Sequence, residues 1–444
     1  MQAQPSGWSR GPLRASLWTQ RSSASEDHGA LVGSCSADVA IVGAGVAGAS
    51  TALHLASAGL KVVVLEAKQP GAGAAGQSGG LIAPNFVGLT PERAEALYGL
   101  EAGGRLTGLV AKSAAGAFDI VRDLNIACEA RQEGFWTPAH TPELADEQRA
   151  QVAQWRARGY DVTFVDEADT RAALGSHRYC GAMRFAEGGQ LNPLALVQGL
   201  VRRAVERGAV VFGDSPVQQV RRLKGLWEIS TASGKLSAPR VVFAANAGNS
   251  RLHPKLRRTT LPLHVMEFAT TPLDARQRET VLPQGGSFTD RQSYLFTARY
   301  DEEGRLISAF PLSAPLQGRS AYDREARLRL KRHFPKLGAV QIGHMWTGMA
   351  RLNTSFLPSV YDLEDGAYAI QACNGRGLAI NVALGREVAT VLATGDVGEL
   401  SRPLETPKPI RMHTVAQFAP YAMMSMAYLH SRLLKRIPPG DARG

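Results

Sequence analysis

Cysteine is scarce in this sequence, with four residues in a chain of 444. Cys35, Cys128, Cys180 and Cys373 lie far apart and form no CxxC pair. A zinc site or the disulfide framework of a small secreted protein would need closely spaced cysteines. The sequence therefore predicts reduced thiols, a cytoplasmic protein and no metal centre.

Membrane-spanning runs and blocks of positive charge are also missing. The uncharged stretch from Val39 to Leu60 is long enough to span a bilayer, but it contains several glycines and His54 and changes from strand to helix periodicity. The formal net charge is +11, yet the arginines are scattered, with no Lys/Arg block and no interleaved aromatic residues. We expect a solvated basic surface, no transmembrane segment and no nucleic-acid partner.

The first thirty residues lack the apolar core of a secretory signal. They contain Arg10, Arg14 and Arg21, several serines and no acid before Glu26, a composition that superficially matches a transit peptide. We predict instead a flexible or loosely docked N-terminal extension over residues 1–35.

The sequence does contain a βαβ unit near its start. Val39 to Val42 is a short apolar strand, Ala47 to Ser57 a helix of small residues, and Lys61 to Glu66 a second buried strand. The overall hydrophobic content of 44% and charged content of 20% are ordinary for a globular enzyme. A chain of this length exceeds one ordinary core, so we expect two or three domains.

The turn of this unit reads G-x-G-x-x-G, with glycines at 43, 45 and 48. Gly43 permits the tight turn, Gly45 lets the backbone approach a pyrophosphate, and Gly48 lets helix and strand pack closely. Glu66 ends the second strand, where a carboxylate can accept both ribose hydroxyls and disfavours a 2′-phosphate. Together these features predict a dinucleotide site for NAD or FAD rather than NADP.

A second strand, glycine turn and helix, Tyr368 to Gly395, favours FAD over NAD. An NAD domain needs no contribution from the C-terminal end of the chain, and a reductase with two dinucleotides would show a second G-x-G-x-x-G. Two such units at opposite ends of the chain suggest one nucleotide domain built from separated segments.

Several motifs carry a resemblance to a known family: VAIVGAGVAGASTALHLASAGLKVVVLEA, GAGAAGQSGGLIAP, NAGN, HMWTGMARLNTSFLPSV, QACNGRGLAINVALGREVA and the tail FAPYAMMSMAYLHSRL. The chain resembles the D-amino-acid-oxidase (DAO) superfamily of FAD enzymes from about Ser16 to Pro438. Within it the likeness is strongest to amine oxidases of the γ-glutamylputrescine oxidoreductase type. The superfamily motifs are specific, whereas those that bear on substrate are not.

The resemblance implies an α/β fold, with a Rossmann-like FAD-binding domain and an inserted antiparallel-sheet substrate domain. The expected FAD-binding segments are 36–95, 185–255 and 341–400, the substrate or cap segments are 96–184 and 256–340, and 401–444 is a C-terminal tail with a helix.

The resemblance also implies which residues hold FAD. The residues that would hold its ADP half are Gly43, Ala44, Gly45, Val46, Ala47, Gly48, Glu66 and Ala67. Those along the pyrophosphate and the flavin would be Gln77, Ser78, Gly79, Gly80 and Leu81, with the backbone of Val217 against the adenine. Those at the pyrimidine end of the flavin would be Asn374, Gly375, Arg376, Gly377 and Leu378.

The sequence departs from the family at two positions that bear on the flavin. The family commonly shows Ser-Gly-His-Gly where this chain has Asn-Gly-Arg-Gly, so Arg376 either stabilises the anionic reduced ring or points to solvent. Gln77 takes the position of the histidine that attaches flavin covalently in some relatives. No cysteine occurs from Trp346 to Pro358, so we predict noncovalent FAD.

The resemblance implies oxidation of a small amine or amino acid by hydride transfer to flavin N5, giving an imine that hydrolyses to an aldehyde or keto acid. The substrate would be γ-glutamylputrescine-like or an ω-amino carboxylate, and the electron acceptor oxygen or a quinone-type compound. Arg351, Arg299 and Tyr294 are the residues that we expect to position the substrate, with Arg351 as the carboxylate clamp. The alternative for Arg351 is a surface or interdomain ion pair, and the alternative for Arg299 and Tyr294 is an outward-facing position on their strand.

The tail from Phe418 to Arg436 has apolar residues on one side and basic residues near its end. Such a helix can lie on a membrane, but we favour packing on its own body or on a subunit, and a homo-oligomer stays open. Two other functions also stay open: an NAD(P)H-dependent flavin hydroxylase, and an electron-transfer subunit of a larger dehydrogenase complex.

Overall fold

The computed structural model describes residues 15–22 and 26–433. Its strands there are β1 (Gly33–Ser36), β2 (Val39–Val42), β3 (Val62–Leu65), β4 (Leu81–Ile82), β5 (Phe135–Ala139), β6 (Val162–Asp166), β7 (Gly181–Phe185), β8 (Gly189–Gln190), β9 (Val210–Phe212), β10 (Gln219–Leu223), β11 (Leu226–Ser230), β12 (Gly234–Ala238), β13 (Arg240–Phe243), β14 (Leu261–Thr270), β15 (Ser287–Thr289), β16 (Thr297–Tyr300), β17 (Leu306–Pro311), β18 (Ile342–Leu352), β19 (Ser359–Asp362) and β20 (Ala367–Gln371). Its α-helices are α1 (Leu17–Arg21), α2 (Val46–Ser57), α3 (Pro91–Tyr98), α4 (Leu100–Asp123), α5 (Pro142–Arg156), α6 (Glu167–Leu174), α7 (Pro193–Glu206), α8 (Asn249–Leu252), α9 (Ala275–Arg278), α10 (Arg319–His333), α11 (Gly377–Thr394), α12 (His413–Ala416) and α13 (Ala419–Leu433).

A six-stranded sheet forms the centre of the nucleotide domain, in the order β19-β20-β13-β2-β3-β9. Its neighbouring strands are parallel except for the pair β19 and β20. Every residue of β2 and of β3 is buried, as expected for parallel strands covered on both faces. Helices α2, α7 and α11 share a core with one face, and the small sheet β1-β12-β11-β10 shares a core with the other.

Remote parts of the chain meet in this domain where α11 packs on α2. Ser50 donates a hydrogen bond to the carbonyl of Val382, at 2.7 Å. A Cβ at Gly385 would come within 2.6 Å of the Ser50 Cβ, so the close approach of the helices needs a glycine there. The C-terminal segment is thereby fixed beside the first βαβ unit.

An eight-stranded sheet carries the second domain, in the order β18-β14-β17-β16-β15-β5-β7-β6. It is antiparallel except for the pair β15 and β5. Its aromatic core includes Phe268, Phe288, Phe296 and Phe310, packed with residues of α10 and with Tyr428 of α13. The predicted fold class, a Rossmann-like α/β domain with an antiparallel-rich substrate domain, is confirmed.

Two of the expected domain boundaries need correction. Strand β18 lies within 341–400, which was assigned to the FAD-binding domain, yet it pairs along its length with β14 of the eight-stranded sheet. Strand β1 begins within the expected N-terminal extension, yet it pairs with β12 beside the nucleotide domain. Amphipathic strands do not reveal which sheet they join, because the pairing partner is distant in sequence.

The N-terminal extension is not loosely docked where the structure describes it. In α1, Leu17 is 1% exposed and Trp18 is fully buried, in a cluster with Leu194 and Trp346. Arg21 ion-pairs with Glu129 at 3.1 Å and with Asp301 at 3.6 Å. The segment from 15 to 22 therefore joins the packed body of the protein.

Candidate active site

One large cavity, of about 1010 Å³, is lined by residues of both main sheets. Its volume is at the upper end for small-molecule sites. The predicted FAD residues that line it are Gly43, Gly45, Val46, Ala47, Glu66, Ala67, Gln77, Ser78, Gly79, Leu81, Val217, Asn374, Gly375, Arg376, Gly377 and Leu378. The cavity thus brings together three segments that lie far apart in the sequence.

Three further predicted FAD residues lie just behind the cavity wall. Ala44 donates its backbone N–H to Glu66, at 2.8 Å. A Cβ at Gly48 would lie 1.9 Å from the carbonyl oxygen of Gly43, and one at Gly80 would lie 2.2 Å from that of Leu191. None of the three is among the residues that line the cavity, and the two glycines allow the close backbone approach behind it.

The first glycine turn has the form that a diphosphate requires. Gly43 has a φ of +107°, a conformation that favours glycine. Gly45 precedes α2 directly, and a Cβ there would meet no atom within 4 Å. Since the first N–H groups of a helix lack intrahelical acceptors and its N-terminus is positive, this open cradle suits an anionic pyrophosphate.

Glu66 closes the same turn from the end of β3. Its carboxylate accepts the N–H of Ala44 and, at 3.1 Å, the N–H of Lys68. It also lines the cavity. The carboxylate is therefore held in one orientation, as expected for an acceptor of ribose hydroxyls.

The loop from 77 to 79 is fixed by three side chains that donate to three successive carbonyls. Trp346 Nε1 donates to Gln77 at 3.0 Å, Trp18 Nε1 to Ser78 at 2.7 Å, and Arg299 Nε to Gly79 at 2.5 Å. Helix α1 and strands β18 and β16 thus fix the loop from 77 to 79. The sequence did not predict a role for Trp18 at the site. The available signal was general: a buried tryptophan normally finds an acceptor for its N–H.

Arg299 and Glu267 form a buried group beside this loop. Arg299 is 2% exposed, lies over the ring of Trp18 at 4.8 Å and lines the cavity. Burial lowers the pKa of Arg299 to about 10, and burial raises the pKa of Glu267 to about 8. Arg299 Nε is engaged by the loop, whereas its buried Nη2 has no hydrogen-bond partner in the described residues. A contact between Arg299 and the substrate therefore stays a prediction.

The second glycine turn places the start of α11 at the cavity. Asn374, with a φ of +39°, accepts the N–H of Asn353 at 3.0 Å and donates to the carbonyl of Leu357 at 3.0 Å. No side chain caps α11. The positive end of α11 is therefore open to the cavity. The pyrimidine part of the flavin is expected at this position.

Arg376 does not point to bulk solvent. It lines the cavity, donates to Asn85 Oδ1 and lies over the ring of Phe135 at 5.4 Å. Burial, together with a smaller effect of the positive charge of Arg291, lowers the pKa of Arg376 to about 10. Within residues 15–22 and 26–433 neither Arg376 nor Arg291 has a carboxylate within salt-bridge distance. Glu66, Glu267 and Asp290 also line the cavity, but none of them pairs directly with these two guanidinium groups.

Arg351 and Tyr294 are not at the cavity, contrary to the expectation from sequence. Arg351 Nε donates to the hydroxyl of Thr260 at 3.0 Å, and the neighbouring residues Ala350 and Leu352 line the cavity instead. Side chains alternate along a strand, so a shift of one residue turns the arginine away. Tyr294 is 3% exposed and donates to the carbonyl of Pro311 at 2.7 Å.

The cavity also contains Cys373, whose sulfur accepts the N–H of Arg351 at 3.4 Å. No group of three or more His, Cys, Asp or Glu that could hold a metal occurs in the part of the chain that the structure describes. In that part, one helix, Gly377–Thr394, has the length and composition of a membrane span, but 56% of it is buried. It packs on α2 as a core helix.

A Rossmann-like sheet, two helix N-termini at one cavity and an adjoining substrate sheet together define a dinucleotide-dependent enzyme. Residues 38–391 match the family model described as DAO, FAD dependent oxidoreductase. The chain belongs to this family. It is therefore an FAD-dependent oxidoreductase, and the residues at the cavity fit that cofactor.

The chain is 28% identical over 361 residues to gamma-glutamylputrescine oxidoreductase of Escherichia coli strain K12, covering 81% of this chain and 84% of that protein. Among solved structures, L-proline dehydrogenase from P. horikoshii superposes with a TM-score of 0.69 at 16% identity, covering 84% of this chain and 95% of that one. Glycine oxidase from Bacillus cereus ATCC 14579 has a TM-score of 0.67 at 19% identity, covering 81% and 96%. These two structures share the fold of this chain.

Proposed function

We propose that this chain oxidises the C–N bond of a small amine or amino acid that carries a carboxylate, giving an imine that water hydrolyses to an aldehyde or keto acid. The proposal rests on the large cavity that joins the nucleotide turn, the N-terminus of α11 and the substrate sheet. Relatives named for amine and amino-acid oxidation support the same chemistry.

FAD supplies the two-electron acceptor when it is bound, by hydride transfer to N5. The protein then has to bind the substrate, orient its C–H bond and exclude water, because positioning supplies much of the rate enhancement in such reactions. Phe135 and Met183 contribute apolar walls on the substrate-sheet side of the cavity. No nucleophile from the protein is needed.

Arg376 is the residue that we assign to the carboxylate of the substrate. It reaches the cavity from the glycine turn, next to the positive end of α11, and Arg291 adds a second positive charge. A partly buried guanidinium without a carboxylate partner is stabilised by a ligand anion, and guanidinium–carboxylate hydrogen bonds are strong. A γ-glutamylated amine or an ω-amino carboxylate carries the required group.

The electrons leave to oxygen or to a quinone-type acceptor, and FAD is held noncovalently. The four cysteines are all free thiols, which is compatible with the proposed cytoplasmic location. Gln77 lines the cavity where some relatives attach flavin to a histidine, and an amide cannot form that bond.

The test is product analysis with purified holoprotein and a panel of amines, amino acids and ω-amino carboxylates. We expect an aldehyde or keto acid, with ammonia or a smaller amine, from at least one carboxylate-bearing substrate. Consumption of NADPH with no product from any amine would contradict the proposal in favour of a hydroxylase. Product only after a partner subunit is added would indicate an electron-transfer subunit.

A further inference from the structure

The C-terminal helices expose a continuous set of large apolar side chains. The residues of this C-terminal apolar face are Met412, Val415, Phe418, Met423, Met426, Leu429 and Leu433, each between 50% and 78% exposed. Within α13 they recur every three or four positions, which places them on one side of the helix. Exposed apolar sets of this kind mark interaction sites.

The opposite side of α13 is fastened to the substrate domain. Tyr428 is buried and its ring lies 5.4 Å from that of Tyr294. Arg432 ion-pairs with Glu325 of α10. The helix therefore has a fixed inner side, and its exposed side is not the result of loose packing.

The charge of this segment is of one sign. From Thr406 to Gly440 the sequence contains no Asp or Glu, but it contains Lys408, Arg411, Lys435 and Arg436 in addition to Arg432, which pairs with Glu325. An apolar face accompanied only by basic residues is the pattern of a helix that lies in the interface of an anionic membrane. A second copy related by a two-fold axis would instead bring this cationic segment against itself.

The active-site cavity extends to α13. Pro420, Met423 and Met424 line it, and Met423 is also 58% exposed. Contact with a lipid surface through α12 and α13 would therefore put this edge of the active-site cavity next to the bilayer.

We propose that the C-terminal apolar face docks this enzyme on the surface of an anionic lipid membrane, without spanning it. The face supplies apolar burial, and the acid-free basic segment supplies attraction to anionic headgroups. This docking does not depend on which amine the enzyme oxidises.

The test is cosedimentation of the holoprotein with vesicles of phosphatidylcholine, with and without phosphatidylglycerol. We expect binding to the anionic vesicles that weakens with added salt. The triple variant Met426→Ser, Leu429→Ser, Leu433→Ser should bind at least about tenfold more weakly. These three side chains are not among those that line the cavity, so flavin content and turnover should be retained.

A matched control removes three exposed apolar side chains elsewhere: Leu100→Ser, Leu223→Ser, Val397→Ser, at 82%, 50% and 53% exposure. It should bind vesicles as the unaltered protein does. Equal vesicle binding by the Met426/Leu429/Leu433 variant would overturn the proposal, as would a protein that stays in the supernatant with every vesicle. A dimer that this variant converts to monomer, with no vesicle binding by the unaltered protein, would assign the face to a second copy instead.

Discussion

The carboxyl group of Glu267 is buried, and burial disfavours its ionised form. It is 8% exposed, faces the loop at Gly79 and lines the cavity. Burial outweighs the attraction of Arg299 and raises its pKa to about 8 from an ordinary value of 4.5. The folded protein therefore holds a proton at neutral pH that the unfolded chain releases.

This raised pKa predicts a stability that falls as pH rises. The contribution of Glu267 is fully present below about pH 4.5 and is lost as pH rises through about 8, with a slope of at most about 1.4 kcal/mol per pH unit. In Glu267→Gln this slope should disappear from the free energy of unfolding, measured by urea titration across that window. Glu101→Gln, an exposed control, should keep it; an unchanged slope in Glu267→Gln would contradict the prediction.

Arg376 gives a second prediction at the scale of one residue. Arg376→Gln removes the charge that we assign to the substrate carboxylate, so KM for a carboxylate-bearing substrate should rise about tenfold to a hundredfold. KM for the corresponding amine without the carboxylate should change little. Steady-state kinetics with the two substrates measures the difference.

Arg351→Gln is the matched control for this experiment. The Arg351 side chain donates a hydrogen bond to Thr260 and does not line the cavity. It should leave both KM values near those of the unaltered enzyme. If KM for the carboxylate-bearing substrate rose strongly in Arg351→Gln and not in Arg376→Gln, Arg351 would be the carboxylate clamp, as the sequence predicts.

Among the elements, helix α1 connects the N-terminal segment to the loop from 77 to 79, which is predicted to lie along the flavin. Trp18→Phe keeps an aromatic ring but loses the N–H bond to Ser78, leaving a carbonyl unsatisfied. We expect FAD to dissociate about tenfold more readily, since an unmade buried hydrogen bond costs about 1–3 kcal/mol. Flavin fluorescence on dilution measures the release.

Trp227→Phe is the control for Trp18→Phe, because it loses a similar N–H bond, to Asp365 at 3.0 Å, away from the cavity. It should retain FAD as the unaltered protein does. Equal FAD loss in both variants would show a general loss of stability and no specific role for α1.

The elements closest to the nucleotide could be predicted because their signals are local. The glycine turn, the strand before it and Glu66 lie within thirty residues, and each has one physical reason. The helical region that precedes β5 shows the limit of such signals, since it is divided into α3 and α4 at Gly99, whose φ is +84°. Apolar periodicity continues across this glycine, so periodicity alone could not locate the break.

The substrate side was predictable only in outline because it depends on distant contacts. Whether position 350 or 351 faces the cavity depends on the strand register with β14, and a one-residue shift reverses the side chain. The role of Trp18 depends on an acceptor sixty positions away. Periodicity within one segment contains neither kind of information.

For the whole molecule, we also predict that FAD is bound noncovalently. Cys373 lines the cavity, so a covalent flavin would have a thiol available there. We expect acid precipitation of the holoprotein to leave the yellow colour in the supernatant, with about one FAD per chain. Flavin that stays with the precipitated protein would contradict the prediction.

If one cavity, built by remote segments, brings an amine to FAD, an amine substrate must reduce the bound flavin. The decisive measurement is flavin absorbance during anaerobic addition of the substrate panel to the holoprotein. We expect bleaching by a carboxylate-bearing amine, at a lower substrate concentration than for the analogue without the carboxylate. Flavin that no amine bleaches, but that NADPH reduces, would rule out the proposed amine oxidation.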